Sequence, residues 1–427
     1  MATLLSKLAM GLYGATATVL TPIIKRHLSN RRERGKEHPK RYKERFGFTE
    51  TKRPTGRLIW IHAASVGESI SILPLIEAIN SQDHGFLFLI TTGTTTSAKL
   101  MEKRLPENAV HQFIPVDTPA ATERFLSYWK PDLGLIVESE LWPQLIFRAN
   151  KHKIPLVLIN ARMSKKSTAS WKRVSFFIRD LLNNFNLILA QSRQDADHFE
   201  ELGAKNVIES SNLKFSAAPL TYHQKDLENL RDLIGDRPVW FASSTHKGEE
   251  LFLSLIQKRL QDQHPDLLCI IAPRHPERGL DIAKELRTQG FDVAVRSASE
   301  TISTNTNIYL ADTLGELGLF YEISPVVVMG GSLLRKGGQN LLEPARQNCA
   351  IICGPEMQNF EAICNEMLRA NAVIKLESPD QLADKIRELL ESPSDCKLLA
   401  TTAEQYTSSK GKEIEIIAKQ VLYELHP

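Results

Sequence analysis

The sequence predicts an α/β chain built as two doubly wound units, each an open parallel sheet with helices on both faces. Three observations predict it. At 427 residues the chain exceeds one comfortable core, which favours two domains of roughly 150–200 residues. Downstream of about residue 56, short runs rich in Ile, Leu and Val alternate with helix-like segments, and regular strand, helix, strand succession argues a parallel sheet. The pattern then stops and restarts, so two sheets are expected, with the linker near residues 215–236.

The N-terminus is different in kind. The run LAMGLYGATATVLTPII, Leu8 to Ile24, carries no charge for 17 residues, close to the shortest span of about 17 that crosses a bilayer core. Gly, Ala and Thr dilute its hydrophobicity, and Pro22 falls near its end. The flank KRHLSNRRERGKEHPKRYKERFG then sets ten basic residues against Glu33, Glu37 and Glu44. Such a flank stays in the cytoplasm and is drawn to anionic headgroups. Its charge follows the apolar run, the reverse of a cleavable signal peptide. A retained membrane-associated segment is expected, against the alternative of an ordinary amphipathic first helix with a solvated basic face.

In the first unit RLIWIHAA, FLFLITTG, LGLIVES, IPLVLINAR, NLILAQS and NVIESSNLKF read as buried strands, with SISILPLIEAIN and QDADHFEEL as helices between them. In the second, VWFASST, LLCIIAPR, DVAVRS, NIYLADT, PVVVMGGS, CAIICG and AVIKLE form the strand set. Two such sheets create a cleft, and ligands bind beyond the carboxyl ends of the strands. The balance of 53 basic and 50 acidic residues, net +3, gives no field that argues for nucleic acid. Five cysteines, all in the C-terminal half and without CxxC spacing, read as buried thiols.

The strand exits carry the candidate chemistry. IHAASVGES places Glu68 behind a broken strand, where a carboxylate complements a helix dipole or acts as a base. ESELWP adds Glu138 and Glu140, but no DxD-like cluster accompanies them. His62, His246 and His275 lie in separate motifs without HxxxH or HExxH spacing, so metal-free chemistry is expected. In GGSLLRKGGQNLLEPARQNCAII two double glycines, Gly330–Gly331 and Gly337–Gly338, precede a helix expected to start near Asn340. Its free N–H groups suit a phosphate and Glu343 a ribose, unless the glycines serve only tight turns. IIAPRHPER presents Arg274 at a strand exit, suited to an anion. SSTHKGEE supplies Ser243, Ser244, Thr245, His246 and Lys247, and DTLGELGLFY supplies Leu314, Gly315 and Glu316. Arg162, Lys165, Lys166 and Lys172 are candidate contacts to acceptor phosphates, a solvated face being the commoner explanation.

Taken together, RYKERFG, HAASVGE, ESELWP, NARMS, NLKF, STHKGEE, PRHPER, DTLGELGLFY and GGQNLLEPA, in this order between about residues 41 and 345, resemble the Kdo transferases. These enzymes attach 3-deoxy-D-manno-oct-2-ulosonic acid (Kdo) to lipid A precursor. The resemblance implies a GT-B glycosyltransferase with a membrane-associated helix and basic flank at 1–45, a Rossmann-like acceptor domain at 46–220 and a CMP-Kdo-binding domain at 221–427, the last helix packing back on the N-terminal domain. It implies Glu68 as general base, and Pro273, Arg274, Leu314, Gly315, Glu316, Asn340, Leu341, Leu342 and Glu343 around the CMP moiety. Ser65, Ser244, Thr245, His246 and Lys247 would support donor or phosphate. The implied partners are CMP-Kdo, lipid A precursor and the cytoplasmic face of the inner membrane, with no cofactor, metal or nucleic acid. The rivals are a sugar-nucleotide epimerase on the same architecture and a lipid-binding scaffold without turnover.

Overall fold

The structure, a computed structural model, describes residues 4–425. It divides into two compact units, one holding the chain up to Ala217 together with the segment from Gly411 onward, the other Ala218–Lys410.

The first unit opens with helices α1 (Leu4–Val19) and α2 (Thr21–Glu33), bent by 53° at the intervening break. Pro22 sits in the first turn of α2, where its missing N–H costs nothing but the preceding helix cannot continue through it. Among the described residues no single helix is long and apolar enough to cross a membrane, although the bent pair passes that test jointly. Of the small residues in the run Gly14 has a packing reason, whereas Gly11, Ala15, Thr16 and Thr18 are exposed. Ser6 and Gly14 are buried on the face of α1 that meets helices Pro119–Trp129, Pro143–Lys151 and Ser175–Leu182. A Cβ on Gly14 would come within 2.8 Å of the Gln144 side chain. Leu4, Leu5, Leu8, Leu12 and Val19 are turned outward and exposed.

The sheet of this unit comprises β1 (Arg57–His62), β2 (Phe86–Thr92), β3 (Ala109–Phe113), β4 (Leu133–Val137), β5 (Leu156–Ala161), β6 (Leu187–Ala190) and β7 (Val207–Glu209). Its order is β3-β2-β1-β4-β5-β6-β7, all parallel. The chain reverses its winding between β1 and β4, where Ile61 pairs with Leu135 and His62 with Ile136. Apolar layers cover both faces: Ile59, Ile61, Leu75 and Ile79 on one, Leu58, Trp60, Phe125 and Trp129 on the other. Helix Ile414–Tyr423 lies against helix Leu73–Gln82, adding Ile417 and Val421 to the first layer. The expected helix SISILPLIEAIN is two: α3 (Val66–Ser71) and Leu73–Gln82, broken at Ile72 ahead of Pro74.

The second unit contains β8 (Val239–Thr245), β9 (Leu268–Pro273), β10 (Val293–Val295), β11 (Ile308–Leu310), β12 (Val326–Met329), β13 (Ala350–Cys353) and β14 (Ile374–Lys375). They are parallel in the order β10-β11-β9-β8-β12-β13-β14, so the switch point lies between β8 and β12. The linker is shorter than expected. Only residues 217–223 lack regular structure, because Leu227, Leu230 and Ile234, spaced for one helical face, bury helix Gln224–Ile234.

Candidate active site

The winding reversal brings the acids of the first unit to one place. β1 ends at His62, and Ala63 to Ser65 turn into α3, on which Glu68 is the third residue. β4 ends at Val137, delivering Glu138 and Glu140 beside it. Ser65 caps α3: the Glu68 N–H donates to Ser65 Oγ at 3.3 Å, and Ser65 Oγ donates to Glu68 Oε1 at 2.7 Å. The Ala64 N–H donates to Glu68 Oε2 at 2.8 Å. This is a reciprocal capping arrangement, and it fixes the carboxylate at the strand exit. Glu68 therefore serves structurally as part of the α3 cap. Burial nevertheless lifts its proton affinity above the ordinary carboxylate range, and Glu138 and Glu140 add to that against the two hydrogen bonds.

The neighbouring acids are engaged differently. Glu138 adopts φ 59° and receives the Lys214 ammonium at 2.9 Å. Glu140 accepts from Trp142 Nε1 at 2.6 Å and lies 3.7 Å from His62 Nε2. Burial pushes Glu140 up, but His62 and Trp142 outweigh it and hold the carboxyl below its ordinary value. Among the described residues no three His, Cys, Asp or Glu side chains come together as metal ligands.

In the second unit the switch point assembles SSTHK, PRH and GG. Ser244, at φ 59°, bulges out of β8, so that Thr245 pairs with Pro273 and accepts the Arg274 N–H at 2.9 Å. The Gly330 N–H donates to the Ser243 carbonyl at 2.7 Å, and a Cβ on Gly330 would stand 2.4 Å from the Ser244 carbonyl oxygen. That close approach demands glycine there. The His246 ring lies edge-on to His275 at 6.3 Å and its Nε2 is 3.0 Å from Gln339 Nε2. Burial lowers the proton affinity of His246, and His275, Lys336 and Arg274 lower it further. Arg274 and Lys336 make no ion pair among the described residues. Two cations without an ion-pair partner thus stand near the His246 ring.

Asn340 Nδ2 donates to Glu343 Oε1 at 3.0 Å. Burial raises Glu343 above the carboxylate range while Asn340, Arg346 and Arg274 oppose it. Burial also lowers Arg346 to about 10. The helix expected to start near Asn340 runs only from Leu342 to Arg346. Five residues carry little dipole, so the loop N–H groups rather than a helix end are what this segment offers. Leu341 and Leu342 are fully buried. The Leu314–Gly315–Glu316 turn is built separately. Leu314 is exposed, Gly315 takes φ 86°, and Glu316 accepts from Arg296 at 2.6 and 2.8 Å and from Thr313. That ion pair holds Glu316 below its ordinary value. Lys247 is exposed, next to Gly248 at φ 99°.

Sequence reasoning missed Glu249 and Asp117. Glu249 is fully buried and accepts from the N–H groups of His246 and Gly331 at 2.8 Å and of Leu333 at 3.2 Å, stapling the GGS loop to the β8 exit. Asp117 accepts from the N–H groups of Gln144 and Leu145 and from Tyr13 Oη at 2.9 Å, tying α1 to the sheet. The only sequence signal for Glu249 is the GEE after STHK, which reads as a helix-start acid.

Comparison with known proteins bears on what these residues serve. A family model for 3-Deoxy-D-manno-octulosonic-acid transferase (kdotransferase) matches residues 40–217. A probable mitochondrial 3-deoxy-D-manno-octulosonic acid transferase from Arabidopsis thaliana is 39% identical over 90% of this chain and 88% of its own. The chain belongs to the 3-deoxy-D-manno-octulosonic acid (Kdo) transferase family. The Kdo transferase of Rickettsia bellii is 38% identical over 84% of this chain and 85% of its own. The family is one of glycosyltransferases, which disfavours both the epimerase and the scaffold readings. The UDP-GlcNAc 2-epimerase of Neisseria meningitidis superposes with a TM-score of 0.61, covering 86% of this chain and 100% of its own, at 15% identity. That likeness is one of fold alone, the GT-B architecture expected above.

Proposed function

We propose that this chain transfers Kdo from CMP-Kdo to the lipid A precursor lipid IVA, in one inverting, metal-independent displacement with Glu68 as general base. The observation that carries the reading is the placement of Glu68. It stands at a strand exit beside the winding reversal, and burial with two neighbouring carboxylates raises its proton affinity toward that of a working base. A Glu68 oxygen takes the proton of the acceptor hydroxyl as that oxygen attacks the anomeric carbon. The bond to the CMP phosphate breaks, and its electron pair leaves with CMP. Arg274, His246 and Lys336 stabilise the charge that gathers on the phosphate. Pro273, the Leu314–Gly315–Glu316 turn and the Asn340–Glu343 segment hold the nucleotide, with Ser244, Thr245 and Lys247 at the phosphate. Ser65 keeps the Glu68 carboxylate oriented.

The acceptor sits at the cytoplasmic face of the inner membrane. The outward leucines of α1, with Ile23 of α2, lie in the interface, and the basic residues of α2 meet anionic headgroups. The test is incubation of purified enzyme with CMP-Kdo and tetra-acylated lipid A precursor. Release of CMP with an acceptor mass gain of Kdo supports transfer, whereas CMP release that proceeds equally without acceptor rejects it.

A further inference from the structure

A groove of about 700 Å³ lies within the first unit, between α1 and α2 on one side and the segment after β3 on the other. Ala17, Leu20, Ile24 and Leu28 line the first side, Ile114 and Val116 the second. His62, Ala64, Glu140 and Trp142 line the same groove, so it reaches the strand exit that carries Glu68. Its volume is that of a small-molecule site, typically about 300–1,000 Å³.

Two features say what it would hold. His62 is only 1% exposed. Its Nδ1 lies 3.1 Å from the Thr91 carbonyl oxygen, which only accepts, so Nδ1 carries a proton and Nε2 is the ring atom left to face the groove. That Nε2 has no hydrogen-bond partner among the described residues, the nearest acid being Glu140 Oε2 at 3.7 Å. A buried ring nitrogen without a hydrogen-bond partner, beside a carboxylate, calls for a hydroxyl, which donates or accepts as the ring requires. The charges agree. Arg31 and Arg45 both bind Glu37, and Asp117 and Glu140 line the groove with His27, so three carboxylates stand against two guanidinium groups and no excess of positive charge is left for a phosphate or carboxylate headgroup.

We propose that this groove binds one acyl chain of the acceptor, with a neutral hydroxyl near that chain hydrogen-bonded to His62 Nε2. The identity of the amphiphile rests on the transfer reading above, since acylated glucosamines carry both an acyl chain and hydroxyls. The consequence is that α1 is a wall of the acceptor site as well as a membrane contact, and His62 is a positioning residue for the acceptor.

The test uses monomeric probes below their critical micelle concentrations, read by equilibrium dialysis on the full chain: N-decanoyl- and N-dodecanoylglucosamine, glucosamine and dodecanoate. Affinity should rise about fourfold per methylene, the equivalent of about 0.8 kcal/mol, and so roughly fifteenfold between the two acyl probes. Dodecanoate should bind more weakly than N-dodecanoylglucosamine, and glucosamine not measurably. Ala17→Trp and Val116→Trp, filling the groove from opposite sides, should each weaken N-dodecanoylglucosamine at least tenfold while CMP binding is unchanged. His62→Phe should cost roughly two- to tenfold for the acylglucosamines and nothing for dodecanoate. Unchanged melting of either tryptophan variant keeps the test valid if the other fails to fold. A flat chain-length series, or full affinity in a folded tryptophan variant, overturns the groove. If the enzyme transfers Kdo and the series is flat, the groove alone falls. If the series holds but CMP-Kdo is never consumed, the groove stands and the transfer reading falls.

Discussion

Replacing Glu68 by Gln separates the capping role seen in the structure from the proposed role as base. The amide oxygen still accepts the Ala64 N–H, and the amide nitrogen can donate to Ser65 Oγ, so the start of α3 keeps its cap. The stability cost is therefore about 1 kcal/mol. The base is lost, and a positioned base contributes on the order of 10²- to 10⁴-fold, or about 2.7–5.4 kcal/mol of barrier. The pH profile sharpens the test. Burial, assisted by Glu138 and Glu140, raises the Glu68 proton affinity in the folded chain. A base works ionised, so kcat/KM falls as pH drops through that raised value, and the acid limb lies above the ordinary carboxylate range. Stability runs the other way: the Glu68 contribution is fully present below the unfolded-state value and is lost as pH rises through the folded one. The assay is single-turnover CMP release with acceptor across pH, alongside CMP binding by calorimetry. A Gln variant within threefold of wild type, or one that keeps the same acid limb, refutes the assignment.

Three further outcomes follow from the packing. Asp117→Ala leaves the N–H groups of Gln144 and Leu145 without their acceptor and removes the Tyr13 tie, so urea denaturation should show a loss of about 2–4 kcal/mol, with Asn recovering part. Glu249→Ala strips the acceptor from three backbone N–H groups around the GGS loop. A loss of about 3–5 kcal/mol is expected by thermal unfolding, together with weaker CMP binding. Gly330→Ala forces a methyl to 2.4 Å from the Ser244 carbonyl oxygen, so it should cost about 3 kcal/mol and at least tenfold in CMP affinity, readable by calorimetry.

Much of the sheet structure is legible because buried parallel strands are continuous apolar runs, and RLIWI, FLFLI and VWFAS leave little else to be. β3 is the exception. AVHQF hides as a strand because its polar Gln112 is buried by pairing with Trp129 Nε1 at 2.7 Å, a partner known only in three dimensions. NVIESSNLKF reads as one strand but ends at Glu209, since Asn212 caps a 3-10 turn, Leu213–Ser216. The candidate site is legible where motifs sit at strand exits, as for Glu68, Arg274 and His246. What the sequence hides is pairing. Nothing local says that Glu316 is occupied by Arg296, that Glu249 reaches 84 residues onward to Leu333, or that His62 Nε2 faces a groove unpartnered. Ser6 and Gly14 of α1 look like diluted hydrophobicity and are in fact its packing face.

The mechanism we propose is a single displacement driven by one carboxylate without a metal. The anomeric configuration of the transferred Kdo, read by NMR on product made with and without excess EDTA, tests it most directly. Inversion relative to CMP-Kdo and the same yield in both reactions are expected. Retained configuration, or a yield abolished by EDTA and restored by a divalent cation, would contradict it.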